Sequence, residues 1–324
     1  MHARKLISIV IPCYNEEKNI EAFPSKLFSE LEKLDYDFEV LAVDDGSTKD
    51  DTWGALSHLA RYYPYFHAFK HARNYGMGAA YQTCFDYAKG DYVITYSSDH
   101  EIPASYIADV LTKLENGYDV VNTNRSARWK NAGFFRRFPS KVANALIRNI
   151  SEVEVKDTGS GLKGFRKFVI QNLKIYGDMH RFLPAYASLY TKRITEIDVE
   201  YKEREYGESA YGSLKRTFSV FLDLFSMKFM LSFATKPFSM MPGRIFGTAG
   251  IASSILGIML LLYLLVLKFG LDQSIGDRPL LTGAVLLVIF GVQLVMTGLL
   301  GELMMRTYFE GAKRTPYVVS ERIN

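Results

Sequence analysis

Two long uncharged segments near the C-terminal end limit what this chain can fold into. No Asp, Glu, Lys or Arg occurs between Arg244 and Lys268, and none occurs between Arg278 and Glu302. As an α-helix each segment would span about 34 Å, which exceeds the roughly 30 Å thickness of a bilayer's hydrocarbon core. A helix of a soluble core is rarely apolar on every face over this length. We therefore predict two transmembrane helices that tether the preceding residues to a membrane.

The composition leaves room for a soluble domain and excludes several other classes. With 48% hydrophobic and 23% charged residues among 324, the chain is neither disordered nor of low complexity. The net charge of +4 is small and dispersed, so we expect no nucleic-acid partner. Cys13 and Cys84 fit neither a disulfide framework nor a zinc site. The first apolar run, Leu6–Ile11, ends at Pro12 and is too short for a signal peptide, which favours a β-strand.

The cations that flank the two apolar segments predict their orientation. The tail after the second segment carries four Lys or Arg residues, whereas the short connection over 268–278 has two that are offset by two Asp. Cytoplasmic flanks carry the excess of Lys and Arg. We expect a multi-pass protein of the cell (inner) membrane, with its N-terminal domain and its tail in the cytoplasm.

The first half of the chain alternates short apolar runs with longer helical patterns, which is typical of an α/β domain with a mainly parallel, Rossmann-like sheet. The predicted strands are Leu6–Ile11, Phe38–Val43, Tyr65–Lys70, Tyr92–Tyr96 and Asp119–Thr123, with a further one around 197–201. The predicted helices are Glu17–Leu34 with a break or kink at Pro24, Asp51–Tyr62, Gly78–Ala88, Ala104–Glu115 and Arg137–Ile150.

The chain is predicted to have four parts. Residues 1–213 would form the α/β domain, in which 124–135 lacks periodicity and is expected to be a loop. Residues 214–244 are rich in aromatic residues and Met, which favours interfacial amphipathic helices, with ordinary core helices as the alternative. Residues 245–305 would hold the two transmembrane helices and 306–324 the cytoplasmic tail.

Polar clusters follow four of the predicted strands. They are Pro12–Glu17, Asp44–Ser47, Ser97–Glu101, and Arg125 with Arg128. Ligands bind at the carboxyl ends of parallel strands. Carboxylates can accept hydrogen bonds from ribose or hold a divalent cation, and Arg side chains can fork onto phosphate. The combination predicts a ligand with a sugar, a base and phosphates.

The motifs IVIPCYNEEKNI, LAVDDGSTKD, HARNYGMGAA and SSDHEIP, in this order, resemble those of family 2 glycosyltransferases with a GT-A fold. The C-terminal half narrows the match. DTGSGLKGFRK, HRF at 180–182, REYGESAY, the two apolar segments and the tail MMRTYFEGAKRTPY resemble the polyisoprenyl-phosphate glycosyltransferases. That group includes dolichyl-phosphate mannose synthase and the bactoprenol glucosyltransferases.

The resemblance implies inverting transfer of one sugar from a nucleotide-sugar, UDP- or GDP-linked, to polyprenyl phosphate at the surface of a lipid bilayer. It also implies a homo-oligomer, such as a tetramer. The residues implied to bind the nucleotide-sugar are Pro12, Tyr14, Glu16, Asp44, Asp45, Arg73, Asn74 and Asp99. A packed strand end remains open for Pro12 and Tyr14.

The family's cation motif is altered in this chain. Its usual Asp-x-Asp, followed two residues later by Gln, is replaced by Ser97-Ser98-Asp99-His100-Glu101. Two carboxylates remain at positions i and i+2, on the same side of an extended segment. We predict that Asp99 and Glu101 bind one divalent cation, Mg²⁺ or Mn²⁺, and that His100 faces away. A metal-poor or inactive site is the alternative.

The acceptor needs no strong base, since a phosphate monoester is mostly dianionic at pH 7. Cations that reduce the repulsion between two phosphate groups are needed instead. The residues assigned to the acceptor phosphate are Arg125, Arg128, Lys163, Arg204 and Ser209. The resemblance places the catalytic carboxylate at Asp157, where a turn residue before Gly159 is the alternative.

Two other functions remain open at this stage. A processive polysaccharide synthase is disfavoured because the chain has no Gln-x-x-Arg-Trp signature and only two apolar segments. A non-catalytic membrane partner could have kept the fold and lost the Asp-x-Asp motif.

Overall fold

The computed structural model describes residues 4–125, 155–175, 177–203, 242–276 and 279–311. The chain divides into two compact units, Met1–Leu231 and Ser232–Asn324. The helix predicted over Arg137–Ile150 and the interfacial helices predicted over 214–241 lie outside the described residues. The same holds for most of the loop predicted over 124–135 and for the tail beyond Gly311.

A seven-stranded sheet forms the centre of the first unit. Its strands are β1 (Leu6–Cys13), β2 (Asp37–Asp44), β3 (Phe66–Lys70), β4 (Tyr92–Thr95), β5 (Val120–Asn124), β6 (Lys163–Arg166) and β7 (Ile194–Asp198). They lie in the order β3-β2-β1-β4-β6-β5-β7. Strand β6 runs antiparallel to both neighbours, and the remaining pairs are parallel. The prediction of a mainly parallel sheet is confirmed.

The helices that cover this sheet are short. They are α1 (Glu17–Ile20), a π-helical turn (Pro24–Phe28), α2 (Ser29–Leu31), α3 (Thr52–Tyr62), α4 (Met77–Tyr87), α5 (Tyr106–Glu115), α6 (Lys167–Asn172), a 3₁₀ turn (Gly177–Phe182) and α7 (Leu183–Ala187). The helix predicted over 17–34 is therefore broken, as the proline indicated. Because Pro24 has no backbone N–H, it begins a new helical turn more readily than it continues one.

Burial on both faces explains why β1 reads as an almost continuous apolar run. Ile9 and Ile11 pack into one hydrophobic cluster, while Val10 between them packs into a second. Successive side chains of a strand point to opposite faces of a sheet, and a strand covered on both faces needs apolar residues at every position. The sheet thus separates two cores.

Strand β6 was not predicted, since KGFR is only four residues long and has no apolar run. Its Gly164 explains how it fits. A Cβ atom at this position would lie 2.3 Å from a methyl group of Val110 on α5, so the glycine lets that helix lie directly on the strand. The last predicted strand, around 197–201, is β7 and begins earlier, at Ile194.

The second unit contains two long helices, α8 (Pro242–Gly270) and α9 (Pro279–Gly311). Within them Gly243–Gly270 and Pro279–Met304 are long and apolar enough to cross a membrane. Their large apolar side chains are mostly exposed, as Leu262 at 56% and Phe269 at 78% illustrate. This exposure distinguishes them from the core helices of a soluble protein.

Small residues at seven-residue intervals bring α8 and α9 together. On α8 they are Gly243, Gly250 and Gly257, and on α9 they are Ala284, Gly291 and Gly298. A Cβ atom on Gly250 would lie 2.5 Å from the carbonyl oxygen of Gly291. Small residues allow such close backbone contact between membrane helices, and a seven-residue period keeps them on one face.

Candidate active site

The carboxyl ends of β1 and β2 are joined into one platform at the edge of the sheet. The backbone N–H of Asp45 donates to the carbonyl of Cys13 at 2.9 Å. The backbone N–H of Asn15 donates to the hydroxyl of Ser47 at 2.8 Å, and the Asn15 side chain accepts from the N–H of Thr48 at 3.1 Å. The first two polar clusters of the sequence therefore meet in space.

Asp44 ends β2 and is fully buried. Its Oδ1 atom accepts a hydrogen bond from the backbone N–H of Ser47 at 2.9 Å. Its Oδ2 atom is also buried and has no hydrogen-bond partner among the residues that the structure describes. A buried carboxylate oxygen without a donor is costly unless a bound molecule supplies one. Asp44 is thus suited to accept a hydrogen bond from a ligand.

The predicted donor residues of the first cluster differ in what they can offer. Pro12 is paired with Val43 in the sheet register and lies at a strand end. The Tyr14 side chain is 42% exposed, which leaves its ring accessible to stacking. The carboxylate of Glu16 accepts a hydrogen bond from the amide of Asn19. Contacts of these residues with a nucleotide stay predictions.

Asp45 braces the loop that follows β3. Its Oδ1 accepts from the backbone N–H of Tyr75 at 2.9 Å, and its Oδ2 accepts from that of Gly76 at 2.8 Å. Oδ1 also lies 2.7 Å from Nδ1 of His71. Both carboxylate oxygens are engaged by the loop, so the structure gives Asp45 a supporting role. Its predicted contact with a nucleotide-sugar stays a prediction.

The same loop presents Arg73 and Asn74, and both are exposed. The guanidinium carbon of Arg73 lies 4.3 Å from the centroid of the Tyr75 ring. Gly46, with φ +70°, packs against this loop, where a Cβ atom would lie 2.4 Å from the Arg73 carbonyl carbon. Only glycine meets both constraints, so Gly46 brings the loop after β3 onto the loop after β2.

The segment after β4 is a turn, and the prediction of an extended segment is wrong. His100 has φ +53°, its N–H donates to the Ser97 carbonyl at 3.4 Å, and the Glu101 N–H donates to Oδ1 of Asp99 at 3.2 Å. The His100 ring packs against Phe23 at a centroid distance of 5.5 Å. A short polar side chain that binds the backbone two residues on favours such a turn. The argument that alternation puts both carboxylates on one side therefore fails.

The donor atoms near this turn fit a cation that arrives with a nucleotide. Among the described residues, no three His, Cys, Asp or Glu side chains lie close enough together to hold a metal ion. Mg²⁺, however, needs only one or two carboxylates when substrate phosphates complete its coordination. Asp99 is 9% exposed and can supply such a carboxylate.

Arg125 follows β5 and forms a buried ion-pair cluster. Its Nε and Nη2 atoms donate to the two carboxylate oxygens of Asp157 at 2.7 and 3.1 Å. Its Nη1 atom donates to Oε2 of Glu101 at 3.0 Å. The side chains of Arg125, Glu101 and Asp157 are 3%, 10% and 15% exposed. The predicted catalytic carboxylate and one predicted cation ligand thus share one guanidinium group.

Two residues that the sequence did not single out hold the backbone of Asp157. Its N–H donates to Oε1 of Glu196 on β7 at 3.2 Å, and its carbonyl accepts from Nδ2 of Asn122 on β5 at 2.9 Å. Asn122 is fully buried. A buried Asn that follows two Val residues in a strand was the available signal, because buried polar groups need partners.

Lys163 begins β6 and is 4% exposed. Its Nζ donates to the carbonyl of Ser160. Burial lowers the pKa of the Lys163 amine to about 7, Asp157 opposes this shift, and Arg125 reinforces it. A buried, only partly charged amine is poorly placed to meet a lipid phosphate, so this predicted contact requires rearrangement. The other predicted acceptor residues, Arg128, Arg204 and Ser209, lie outside the described residues.

The comparisons with known proteins place the chain in a class of enzymes. Residues 8–174 match the profile described as glycosyl transferase family 2. The chain belongs to this family and is a glycosyltransferase.

Two curated relatives, both named for work on a polyprenyl phosphate, match almost the whole chain. The dodecaprenyl-phosphate galacturonate synthase of Rhizobium johnstonii is 34% identical over 318 residues, which cover 97% of this chain and 92% of the relative. The undecaprenyl-phosphate 4-deoxy-4-formamido-L-arabinose transferase of Pseudomonas syringae pv. syringae is 32% identical over 320 residues, with coverages of 98% and 90%.

Solved structures with a GT-A fold resemble this chain over 69–72% of its length. Mannosyl-3-phosphoglycerate synthase from Rubrobacter xylanophilus has a TM-score of 0.55 at 14% identity, covering 72% of this chain and 77% of that one. Glucosyl-3-phosphoglycerate synthase from Mycobacterium tuberculosis, solved with Mn²⁺, UDP-glucose and phosphoglyceric acid, has a TM-score of 0.53 at 17% identity, with coverages of 69% and 80%. At these identities the likeness shows the fold, and the GT-A prediction is confirmed.

Proposed function

We propose that this chain is a membrane-bound glycosyltransferase that moves one sugar from a nucleotide-sugar to a polyprenyl phosphate. One observation carries the proposal: relatives named for polyprenyl-phosphate transfer align with 97–98% of the chain, including both apolar helices. The products would be a polyprenyl-phosphate sugar and a nucleoside diphosphate. A single displacement would invert the anomeric carbon.

The donor would lie on the platform at the ends of β1 and β2. The exposed Tyr14 ring would stack on the base, while Pro12 and Glu16 would line its pocket. The orphaned Oδ2 of Asp44 would accept from a ribose hydroxyl or a base N–H. Arg73 and Asn74, held out by the Asp45-braced loop, would face the diphosphate.

Asp99 is the residue that would hold a divalent cation, with Mg²⁺ or Mn²⁺ as the ion. Such an ion would supply positive charge that neutralises the charge developing on the leaving diphosphate. Glu101 shares the turn with Asp99, but its carboxylate already accepts from Arg125.

The acceptor phosphate would act as the nucleophile without a protein base. Its second pKa is near 6, so at pH 7 an oxygen of the phosphate can attack the anomeric carbon directly. The bond from that carbon to the diphosphate breaks, and its electron pair leaves with the nucleoside diphosphate. Asp157 would orient the reacting groups, and Arg128, Arg204 and Ser209 would bind the acceptor phosphate.

The membrane location follows from the acceptor. Each buried methylene of a lipid chain contributes about 0.8 kcal/mol to membrane retention, so a long polyprenyl chain stays in the bilayer. We assign residues 1–213 to the cytoplasmic catalytic domain, 214–244 to juxtamembrane helices, 245–305 to the two spans and 306–324 to a cytoplasmic tail. The cations that follow the second span support this orientation in the cell (inner) membrane.

A polar residue within the second span supports a homo-oligomer. Gln293 lies at an exposed position of α9, among large apolar residues that are also exposed. An amide in a hydrocarbon environment is costly unless it hydrogen-bonds, and amides of this kind join neighbouring membrane helices. A second copy of this chain would supply the partner, with a tetramer as one arrangement.

A donor panel tests the proposal. The purified protein in detergent is incubated with undecaprenyl phosphate, Mg²⁺ or Mn²⁺ and a set of UDP- and GDP-sugars, and nucleoside diphosphate release is measured. We expect release with at least one donor, dependent on the lipid, and a product that carries a single sugar. Long polymer would identify a processive synthase, and no turnover with any donor would favour a non-catalytic partner.

Replacing the proposed cation ligand gives a sharper test. Asp99→Ala should reduce turnover by at least a hundredfold, because the leaving diphosphate loses its ion. The variant should also lose the response to added Mn²⁺ that the wild-type protein shows. Wild-type turnover that persists in excess chelator would contradict the metal assignment.

The acceptor assignment is tested at Arg204. Arg204→Ala should raise the KM for polyprenyl phosphate more than the dissociation constant of the nucleotide-sugar, because the charge is assigned to the lipid phosphate. Equal losses for both substrates would place Arg204 elsewhere in the site.

A further inference from the structure

The buried cluster around Arg125 contains two carboxylates, although only one of them is the proposed catalytic group. Arg125 forms a two-pronged pair with Asp157 and directs its remaining terminal nitrogen, Nη1, at Glu101. A guanidinium group is planar, so hydrogen bonds on two of its edges define its orientation completely. Two carboxylates from different loops therefore hold this guanidinium in one orientation.

The energetics make each partner of Arg125 matter to the others. The arginine side chain is 3% exposed, and a buried charge must be compensated by paired groups. Removing one carboxylate would take away part of the negative charge that compensates this buried guanidinium. The guanidinium would then shift toward a new partner, and the remaining carboxylate would shift with it.

Asp157 depends on this pair for the direction of its side chain. Its backbone is held independently by Glu196 and Asn122. Both of its carboxylate oxygens accept hydrogen bonds from the Arg125 guanidinium. Its Oδ2 also accepts one from the backbone N–H of Arg125 at 3.4 Å. Different residues thus hold the two parts of Asp157: Glu196 and Asn122 hold its backbone, and Arg125 orients its carboxylate.

Glu101 is held so that it can support Arg125. Its backbone N–H donates to Asp99, and its carbonyl accepts from the N–H of Lys202 at 2.8 Å. The residue is 8% exposed. A carboxylate placed on a braced turn and buried against a guanidinium is suited to fix that guanidinium.

We propose that Glu101 is a positioning residue, whose carboxylate fixes Arg125 and through it the aim of Asp157. This inference rests on the proposed function, in which Asp157 is the carboxylate at the reacting centre. It gives Glu101 a task other than cation binding, and it gives Arg125 a task other than binding the acceptor phosphate. The cation is then left to Asp99 and the substrate phosphates.

The first experiment separates positioning from cation binding. Glu101→Ala is prepared in the full chain in detergent, and Mn²⁺ binding in the presence of UDP or GDP is measured by electron paramagnetic resonance. We expect Mn²⁺ affinity within about twofold of wild type, together with a fall in kcat of about tenfold to a hundredfold. Asp99→Asn is the matched control, in which Mn²⁺ affinity should fall.

Glu101→Gln guards against a folding defect. The amide has the size of the native side chain, but it carries no charge, so the hydrogen bond that it accepts from Nη1 of Arg125 is weaker than that of the carboxylate. Should Glu101→Ala unfold, judged by size-exclusion chromatography and thermal melting, Glu101→Gln is held to the same criteria of lower kcat and unchanged Mn²⁺ affinity.

The second experiment asks whether Glu101 acts through Arg125. Arg125→Lys keeps a cation but loses the fork, and a double-mutant cycle combines it with Glu101→Ala. In the Arg125→Lys background, Glu101→Ala should change kcat by less than about twofold. Arg125→Lys alone should lower kcat with less than a twofold rise in the KM for undecaprenyl phosphate.

Three results would overturn the proposal. A tenfold or greater loss of Mn²⁺ affinity in the Glu101 variant would make it a cation ligand. Multiplicative losses in the double variant would show that Glu101 and Arg125 act separately, and a main effect of Arg125→Lys on the lipid KM would return Arg125 to the acceptor. An inactive wild-type protein would instead defeat the proposed function, so the two failures are distinguishable.

Discussion

In the sheet unit the largest apolar side chains are the most buried, whereas in the pair formed by α8 and α9 they are the most exposed. Phe23 and Phe165 have no exposed surface, but Phe269 and Met304 are 78% and 73% exposed. Glycine shows the reverse role. It lies at the centre of the contact between α8 and α9, as at Gly250.

The difference follows from the surrounding solvent. In water, folding is driven by removing apolar surface, so large side chains go to the core. Between helices in lipid this driving force is absent, and close van der Waals contact of the backbones replaces it. One chain is therefore stabilised by large buried side chains in the sheet unit and by small residues in the contact between α8 and α9.

The largest effect is expected from emptying the sheet core. Phe165→Ala removes a fully buried ring of β6 from the core on one face of the sheet and should destabilise the first unit by about 3–5 kcal/mol. Denaturant unfolding followed by tryptophan fluorescence measures it, because Trp53 and Trp129 both belong to that unit.

Leu262→Ala is the matched truncation in α8. Leu262 is 56% exposed, so the change should alter stability by less than about 0.5 kcal/mol in detergent. A loss as large as that of Phe165→Ala would show that this face of α8 is a packed interface, and the comparison of the two units would fail there.

An intermediate effect is expected from adding a side chain between α8 and α9. Gly250→Leu places four carbon atoms where the backbone of α9 lies and should cost about 1–3 kcal/mol. Hydrogen exchange of the two helices, measured by mass spectrometry in detergent, should become faster. Gly247→Leu is the control, because no atom of α9 in the described residues lies within 4 Å of a Cβ there. Equal acceleration in both variants would contradict the glycine contact.

A pH-dependent effect is expected from the buried amine of the sheet unit. The unfolded chain keeps Lys163 protonated up to about pH 10.5, whereas the folded chain does so only up to a pKa of about 7. Between these values the unfolded state binds more protons, so stability rises with pH. Lys163→Met removes this contribution.

Melting temperatures of both proteins from pH 7 to 10 check the sign. The melting temperature of the wild type should rise relative to that of the variant as the pH increases. The contributions of all other titrating groups cancel in this difference. A constant gap would mean that Lys163 is charged in the folded protein throughout this range.

The strands that could be predicted share a physical property. Strand β1 is covered on both faces, so its burial is written as consecutive apolar residues, and β2 and β4 follow the same rule. Strand β6 could not be predicted, because its Lys and Arg are compensated by groups from other segments. Its place between β4 and β5 depends on contacts distant in sequence.

The candidate site divides in the same way. The polar residues after β1 and β2 were predictable as neighbours, because parallel strands end at one edge. The loop that Asp45 braces was not, because it depends on hydrogen bonds between segments that are distant in sequence. The turn at His100 was not predicted either, although its hydrogen bonds are local. The pairing of Arg125 with Asp157 joins residues 32 positions apart.

The sequence by itself determined the family, the mainly parallel sheet and the two membrane-length helices, because apolar periodicity, strand-end motifs and hydrophobic length are local properties of the chain. Only the tertiary structure decided which charges are buried together, which carboxylate oxygen lacks a partner among the described residues and which glycines lie in the helix contact. Those outcomes depend on distances between distant segments, and a buried ion pair or a backbone contact changes with shifts of an ångström.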